Sequence, residues 1–416
     1  MGVRKNGDHY IRLAAALASS STNFLARMKP QELSNVIYAL GQLREKPSDA
    51  WMAAFYSASL RLLKLRVFAD RFTPRQLANI IFSLALLEKK PSAEWMDAYW
   101  IAACHSMSTS NQQDLSNTIW AAATLDIPPP ASWMELFKIE SRGRLSACIS
   151  QDLANMMWSF AKLRHRPSNE WLQTFVDTSL AQLHKFNAQE LSNTIWSFAE
   201  LGIEPTPGWT AAWEKHKMAF LDTLNEQDIA NSLWALVVLQ KYQSPVFLPL
   251  WSRSQQLLTP ASDVRCLRNI YCVYKASAAE MPGLLPEPSA AIFDAARDAW
   301  RNNTADRAKQ DASNNAAAVT ACLREMGIAH ECEYLCSASE RSMDIALRDR
   351  RIAIEVDGPY HFFRNVPMRT GATRLRDRLL EWAGWTVVSV PFFEFDELRT
   401  KDAQTDYIQG KVLACK

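Results

Sequence analysis

Apolar residues recur at helical intervals along most of the chain, and the recurrence itself repeats. Six segments align: QELSNVIYAL from Gln31, RQLANIIFSL from Arg75, QDLSNTIWAA from Gln113, QDLANMMWSF from Gln151, QELSNTIWSF from Gln189 and QDIANSLWAL from Gln227. In the fifth, Leu191, Ile195 and Phe198 fall at i, i+4 and i+7, with Leu201 following, which is the apolar stripe of an amphipathic helix. Thr73, Asn111, Asn187 and Asn225 precede such stripes as N-caps. A second stripe follows in each copy, for example Trp171, Phe175, Leu180 and Leu183.

Three anchors fix the period. Asparagine falls at Asn35, Asn79, Asn117, Asn155, Asn193 and Asn231, with spacings of 44 and then 38 four times. Adding 38 again reaches Asn269, in a degraded seventh copy, LRNIYCVY. Sixteen residues after the asparagine stand Trp51, Trp95, Trp133, Trp171 and Trp209, with Phe247 in the sixth copy. Proline stands four residues before each tryptophan, at Pro47, Pro91, Pro129, Pro167 and Pro205. Each copy therefore reads as two helices. The proline ends the first helix, because the residue before proline avoids the α region, and opens the second, whose first turn tolerates it. One helical hairpin cannot bury both stripes, whereas stacked hairpins can, so the expected architecture is an α-solenoid of about seven repeats over 1–280. Counting 38 back from Trp51 lands on Leu13 in YIRLAAALA, which reads as the second helix of a preceding unit, either capping the array or left by a trimmed precursor.

The repeating asparagine has two readings: a ladder that bonds the neighbouring unit's backbone, which we favour, or direct contact with a base. The tryptophans read as hairpin core. Positions that differ between copies are the better candidates for reading a ligand, as base-by-base recognition uses such positions in other helical repeats. The residue after the asparagine is one of these: Val36, Ile80, Thr118, Met156, Thr194 and Ser232. Among these the polar Thr118, Thr194 and Ser232 are candidate RNA contacts.

The pattern changes after residue 280. Met281 to Ser289 is rich in Pro and Gly and reads as the start of a linker over 281–300. A helix ending near Gly327 follows, then β-type sequence in AHECEYLC, SMDIALRD and RIAIEVDGPY, a helix from about Thr373 to Ala383, and a last strand in WTVVSVPFFEF. This order predicts a small α/β domain over 301–416 with helices flanking a mixed sheet. Residues two apart on a strand share a face, so Glu355 and Asp357 point the same way. A neighbouring antiparallel strand would bring Asp344 beside them, and three converging carboxylates make a candidate site for a hard divalent ion. Gly358 and Pro359 then turn the chain and present His361 to the same cleft.

Charge refines this picture. The formal net charge is only +2, so any nucleic-acid surface must come from local clustering. Nine arginines, no lysine and five acids lie between Arg341 and Arg378. Arginine is a good phosphate clamp, and Arg348, Arg350, Arg364, Arg374, Arg376 and Arg378 are therefore candidate contacts to a phosphate backbone. The alternative is a solvated helix face laced with ion pairs. The eight cysteines form no CxxC pair and read as reduced, mostly buried thiols. No apolar run approaches the roughly 18 residues of a membrane span, and the basic, Ser/Ala-rich start is compatible with the tail of a transit peptide.

The 38-residue unit, with its P-S-x-E-W segment from Pro167 to Trp171 and a similar one from Pro91 to Trp95, resembles the octotricopeptide repeat. That family occurs mainly in green algae, and its members are nucleus-encoded proteins acting on organelle RNA. The C-terminal stretch resembles the RAP domain of organelle proteins in Ile354 to Pro359, His361-Phe362, the helix Thr373 to Leu380, Gly384-Trp385 and Val387-Val388. The same pattern is also similar to PD-(D/E)xK nucleases of the very-short-patch-repair type, which implies Mg²⁺-dependent cleavage with Asp344, Glu355, Asp357 and His361 as the active site. One departure stands against it: the usual lysine two residues after the glutamate is Asp357 here, and a lysine would stabilise developing charge.

Together these resemblances imply a protein of the organelle matrix, in chloroplast or mitochondrion, whose repeats select RNA and whose C-terminal domain grips the phosphate backbone. No cofactor is needed for that role. A metal-dependent endoribonuclease, with Mg²⁺ as its cofactor, is the first alternative. A structural subunit of an organelle ribosome, alongside ribosomal or RNA-processing proteins, is the second.

Overall fold

A computed structural model describes residues 22–65, 71–310 and 314–414, with the backbone alone for 22, 23 and 303–310. The helix expected around Leu13 lies outside the described residues. The chain forms two compact units, one holding residues up to 163 with 167–186, the other holding 164–166 with 187–416.

The first unit contains four helical hairpins: α1 (Pro30–Leu43) with α2 (Asp49–Leu63), α3 (Pro74–Leu86) with α4 (Ala93–Ser106), α5 (Gln112–Thr124) with α6 (Ala131–Arg142), and α7 (Ser150–Lys162) with α8 (Asn169–Gln182). First helices pack on first helices, α1 on α3, α3 on α5 and α5 on α7. Small residues allow this close approach: Gly41 of α1 lies against Ser83 of α3, where an added Cβ would stand 2.8 Å from the serine Cβ. The anchor tryptophans Trp51, Trp95, Trp133 and Trp171 are fully buried and stack on the aromatic ring one turn later, as Trp171 does on Phe175 with centroids 5.4 Å apart. Truncating such a side chain in a packed core costs about 3–5 kcal/mol.

The proline plays a different part from the one expected. The first helices end three residues before it, at a left-handed residue: Arg44, Glu88, Asp126, Arg164 and Gly202, and likewise Gln240 in the sixth copy, where no proline follows at that distance, all have φ between 51° and 64°. The amide of the next residue then reaches back to close a Schellman turn, as Lys89 N–H does to the Leu84 carbonyl. The proline itself stands just outside the second helix. The residue after it is the N-cap, and the hydroxyl of Ser48, Ser92, Ser168 or Thr206 accepts from the backbone N–H of the anchor tryptophan. The P-S-x-E-W segment is thus a capping motif joined to a core anchor.

The second unit contains α9 (Ala188–Glu200) with α10 (Pro207–Ala219), α11 (Glu226–Val238) with α12 (Phe247–Leu257), and α13 (Val264–Glu280) with α14 (Ala290–Gln310). Here a correction is needed: the stretch expected as linker over 281–300 is helical from Ala290 onward. α14 packs along α13 as the partner of the degraded seventh copy, with Phe293 and Trp300 against Tyr271.

The α/β domain follows in the same unit. Its sheet has the order β1 (Glu331–Cys336), β2 (Arg341–Leu347), β3 (Ile352–Glu355), β4 (Thr386–Ser389), the first three antiparallel and the last pair parallel. α15 (Asn314–Glu325) and α18 (Lys401–Leu413) cover one face through Val319, Leu323, Ile408 and Val412 on Ile345, Ile352, Ile354 and Val388. α16 (Gly371–Trp382) covers the other with Leu380 against Met343, Ala346 and Ala353, joined by Trp385. A short α17 (Phe392–Phe395) precedes α18. No helix among the described residues is long and apolar enough to cross a membrane.

Candidate nucleic-acid interface

The strand register brings the predicted carboxylates together. Ile345 pairs with Ile354, so Asp344 stands opposite Glu355. Asp344 Oδ2 accepts from the Val356 N–H at 2.7 Å. Glu355 and Asp357 share the face covered by α16, and from that helix Arg376 enters the space between them. Its guanidinium lies 3.0 Å from Glu355 and 2.9 Å from Asp357, and it also bonds Asp377. Asp357 further accepts from Ser389 at 2.5 Å, with Arg369 and His361 each at 3.5 Å. His361 does reach the cluster, with Nδ1 3.4 Å from Arg376 and 3.3 Å from the Thr373 hydroxyl.

The electrostatics follow from this crowding. Burial pushes the Glu355 carboxyl well up, with Arg376 opposing, and one of its oxygens, Oε1, has no hydrogen-bond partner. Burial likewise raises Asp344, to about 6. Burial acts to raise Asp357 too, but Arg376, His361 and Ser389 together hold it below its ordinary value. Arg376 is held protonated: burial opposes the charge, and Glu355, Asp357 and Asp377 outweigh it. These acids are gathered about a guanidinium. A metal needs their lone pairs, and the arginine fork already takes one oxygen each of Glu355 and Asp357. Among the described residues no group of three or more His, Cys, Asp or Glu side chains is arranged to hold a metal.

The candidate arginines divide. Arg376 is buried in the acidic cluster, so the expectation that it contacts phosphate is corrected. Arg378 is also committed: it bonds Glu280 at 2.8 Å and the Val237 and Val238 carbonyls at 2.9 Å each, capping the end of α11. Arg348 pairs with Glu331 on an exposed rim. Arg350, Arg364 and Arg374 are exposed.

Two of these three lie against turns that end first helices, Arg364 at residues 164–166 and Arg374 at Gly202. The Arg364 N–H donates to the Arg164 carbonyl at 2.7 Å, and Asn365 brackets Arg166 through both its N–H and its carbonyl. The Arg164 guanidinium lies 4.1 Å over the ring of Tyr360, a residue 69% exposed. Arg374 lies over Gly202, where an added Cβ would stand 2.8 Å from Nη2 and where φ is +64°. Burial and the nearby Arg374 both lower the proton affinity of Arg166, and burial and Arg378 do the same to Arg374, with Glu200 opposing. A signal for this turn existed: Arg164-His165-Arg166 is the basic version of a turn that varies between copies.

Close backbone packing fixes α16 in place. The Gly371 Cα faces the Ala199 carbonyl so closely that a Cβ would come within 2.2 Å of it. Glu200 accepts from the Ala372 N–H at 3.1 Å at the start of the same helix, and burial, opposed by that bond, raises its carboxyl to about 7.

The repeat-borne candidates are not surface residues. Thr118, Thr194 and Ser232 are buried, and the hydroxyls of Thr194 and Ser232 donate to the Glu190 and Asp228 carbonyls one turn back. Their variation between copies reflects packing, so the expectation of base reading at these positions is corrected. The favoured asparagine ladder also does not form. Among the described residues, no hydrogen bond is made by the side chains of the six repeating asparagines, and none of their polar atoms is a buried unsatisfied one.

Comparison with known proteins finds two matching families. Residues 354–411 match the RAP domain, and residues 60–241 match the family described as "Tbc2 translation factor, N-terminal domain". The chain is thus a helical-repeat protein that carries a C-terminal RAP domain. It is 35% identical over 68 residues to a RAP domain-containing protein, chloroplastic, of Oryza sativa subsp. japonica, and 32% identical over 65 residues to FAST kinase domain-containing protein 3, mitochondrial, of Bos taurus. Each alignment covers 16% of this chain, and only 11% and 10% of the respective relatives.

Proposed function

We propose that this protein binds RNA in an organelle, with the RAP domain and the turn it engages gripping the phosphate backbone. The observation that carries the reading is the gathering of Arg164, Arg166 and Arg374 about a single acid, Glu200, beside the exposed Tyr360. Three guanidiniums face one carboxylate, so positive charge is in excess there, and a further anion lowers the repulsion between them. The exposed tyrosine adds a face on which a base stacks. The names of the relatives, one chloroplastic and one mitochondrial, support the compartment, and the Tbc2 match supports a role in expressing organelle transcripts, of the kind the octotricopeptide resemblance implies. Whether that role is stability, processing, splicing, translation or ribosome assembly is set by the RNA bound.

The nuclease alternative is disfavoured, because Arg376 fills the position a catalytic metal would need. Binding and cleavage of labelled single-stranded RNA, measured with Mg²⁺ and with EDTA, test both readings. The binder predicts equal retention and no cleavage in the two buffers. Arg364→Ala with Arg374→Ala should weaken binding and flatten its dependence on log salt by about 0.7 for each arginine–phosphate pair removed. An unchanged slope overturns the assigned surface. Mg²⁺-dependent cutting abolished by Glu355→Ala would make the domain an enzyme.

A further inference from the structure

Glu200, the last residue of α9, fills the place of an anion. Its carboxylate accepts from the Ala372 N–H at 3.1 Å, in the first turn of α16, and bonds the Thr370 hydroxyl. The positive end of that helix favours negative charge. The Arg164 and Arg374 guanidiniums attract the same carboxylate, and Arg374 in turn repels Arg166. Arg166 also donates to the carbonyl of Leu201, the residue after Glu200. The acid is not a requirement of the repeat. At the same place in the other copies stand Gln42, Leu86, Thr124, Lys162 and Val238. It occurs in the copy whose first helix meets the start of α16. Charged groups further out are already matched: Arg378 pairs with Glu280, and Glu204 with Lys241. The neighbouring titratable groups are His165, buried in the 164–166 turn, and His361, whose carbonyl accepts from the Thr370 N–H.

We infer that Glu200 is an internal competitor for RNA phosphate, holding the arginine cluster as a carboxylate and releasing it when protonated. The inference rests on the phosphate-gripping reading above and names its regulation. A carboxylate and a phosphate oxygen compete for the same donors, the guanidinium N–H groups, so each weakens the other's hold. The coupling is reciprocal: a proton on Glu200 strengthens RNA binding, and bound RNA holds that proton more tightly. Burial raises the Glu200 carboxyl to about 7, its hydrogen bonds and the two arginines opposing. Below that pH the acid is neutral, three guanidiniums stand uncompensated, and RNA binds most tightly. As pH rises through it the carboxylate forms, neutralises part of the cluster, and binding weakens. The weakening ends once the carboxyl in the RNA complex, whose proton affinity is higher still, has also lost its proton.

Fluorescence anisotropy on the full chain tests this, using a labelled single-stranded oligouridine whose bases and phosphodiesters keep their charge across neutrality. Wild-type affinity should fall about fivefold from about pH 6 to about pH 8, the change expected if bound RNA raises the Glu200 carboxyl by about one pH unit. Glu200→Gln removes the charge and keeps an oxygen for the Ala372 N–H. It should bind about fivefold tighter than wild type at about pH 8 and equally at about pH 6. Glu200→Thr, which takes the residue of the third copy, should show the same gain. Any pH dependence left in these variants belongs to His165 and His361, and the difference from wild type belongs to Glu200. A tighter complex does not come from a damaged fold, whereas an acid that only caps α16 leaves affinity unchanged when replaced by Gln. Wild-type affinity, or weaker binding, in both variants at about pH 8 overturns the inference, and the phosphate-gripping reading then stands if Arg364→Ala with Arg374→Ala still weakens binding. Absence of RNA binding by wild type and variants at every pH removes both.

Discussion

The helical repeats and the C-terminal domain both bury acidic side chains, and they do so by different means. In the repeats, Asp114 and Glu190 sit in the first turn of α5 and α9. Each accepts from the backbone N–H of the N-cap asparagine, and that asparagine accepts in return. The acid meets the positive end of its own helix, so the arrangement is local and repeats wherever the local sequence repeats. In the C-terminal domain, Glu355 and Asp357 depend on one cation that arrives from another element. Asp344 and Asp377 join them, so four carboxylates crowd about Arg376, with Arg369 at the edge. Local acids fail one at a time. Shared acids fail together.

The largest effect should therefore come from the shared cation. Arg376→Ala strands buried carboxylates without their partner, which costs about 3–5 kcal/mol. Urea unfolding of the full chain, followed by a probe in the C-terminal domain, measures it. Arg376→Lys should recover part of the loss, since a point charge replaces a fork. A loss below about 1 kcal/mol would show that the cluster tolerates an empty centre, contrary to the unfavourable burial of an unpaired charge.

Asp344 gives a smaller effect with a defined pH window. Its carboxyl is raised from 3.8 in the unfolded chain to about 6 in the folded protein. The folded state thus holds a proton that the unfolded chain releases. Its favourable contribution is full below about pH 4 and is lost as pH rises through about 6. Asp344→Asn keeps an acceptor for the Val356 N–H and removes the charge. It should stabilise the protein by about 1–2 kcal/mol at pH 7.5, with the gain vanishing near pH 4. An equal gain at both pH values would assign it to packing.

In the repeats one cap is the unit of loss. Asn187→Ala removes the acceptor for the Glu190 N–H and should cost about 1 kcal/mol, visible as a lowered midpoint in thermal unfolding. Glu190→Gln should cost less, because the amide oxygen still reaches the Asn187 N–H. If Asn187→Ala leaves the midpoint in place, the capping box contributes no stability there.

The repeats were legible in the sequence because each position is written six times. Helix starts at Thr73, Asn111, Asn187 and Asn225, the buried tryptophans and the hairpin count all follow from that redundancy. The helix ends were not, because their left-handed residues, Arg44, Glu88, Asp126 and Gln240, are not glycine and carry no compositional mark. The role of proline was misplaced for the same reason. In the C-terminal domain the succession of strands and helices along the chain and the meeting of Asp344 with Glu355 were legible, the latter from period-two alternation. The occupant of that cluster was not. Arg376 is one of several arginines on a helix, and only the packing of α16 on the sheet shows which of them turns inward. The turn at 164–166 lay further from reach, since its partners, Tyr360 and Arg364, are about 200 residues away in the chain.

The smallest expected effect on stability is the sharpest test of the comparison. α9 carries two asparagines six residues apart, Asn187 at its cap and Asn193 on its open face. The first is bonded to the helix it starts, and the second has no side-chain partner among the described residues. Both recur when the copies are aligned, and Asn193 is the more regular of the two. If recurrence meant stability, Asn193→Ala would cost at least as much as Asn187→Ala. The structure assigns it a change within about 0.5 kcal/mol, the range of a substitution that breaks no buried contact, and alanine's better helix propensity moves it toward a gain. Thermal unfolding of the two single variants and the double variant decides the matter. Equal losses would mean that the repeating amides serve the fold.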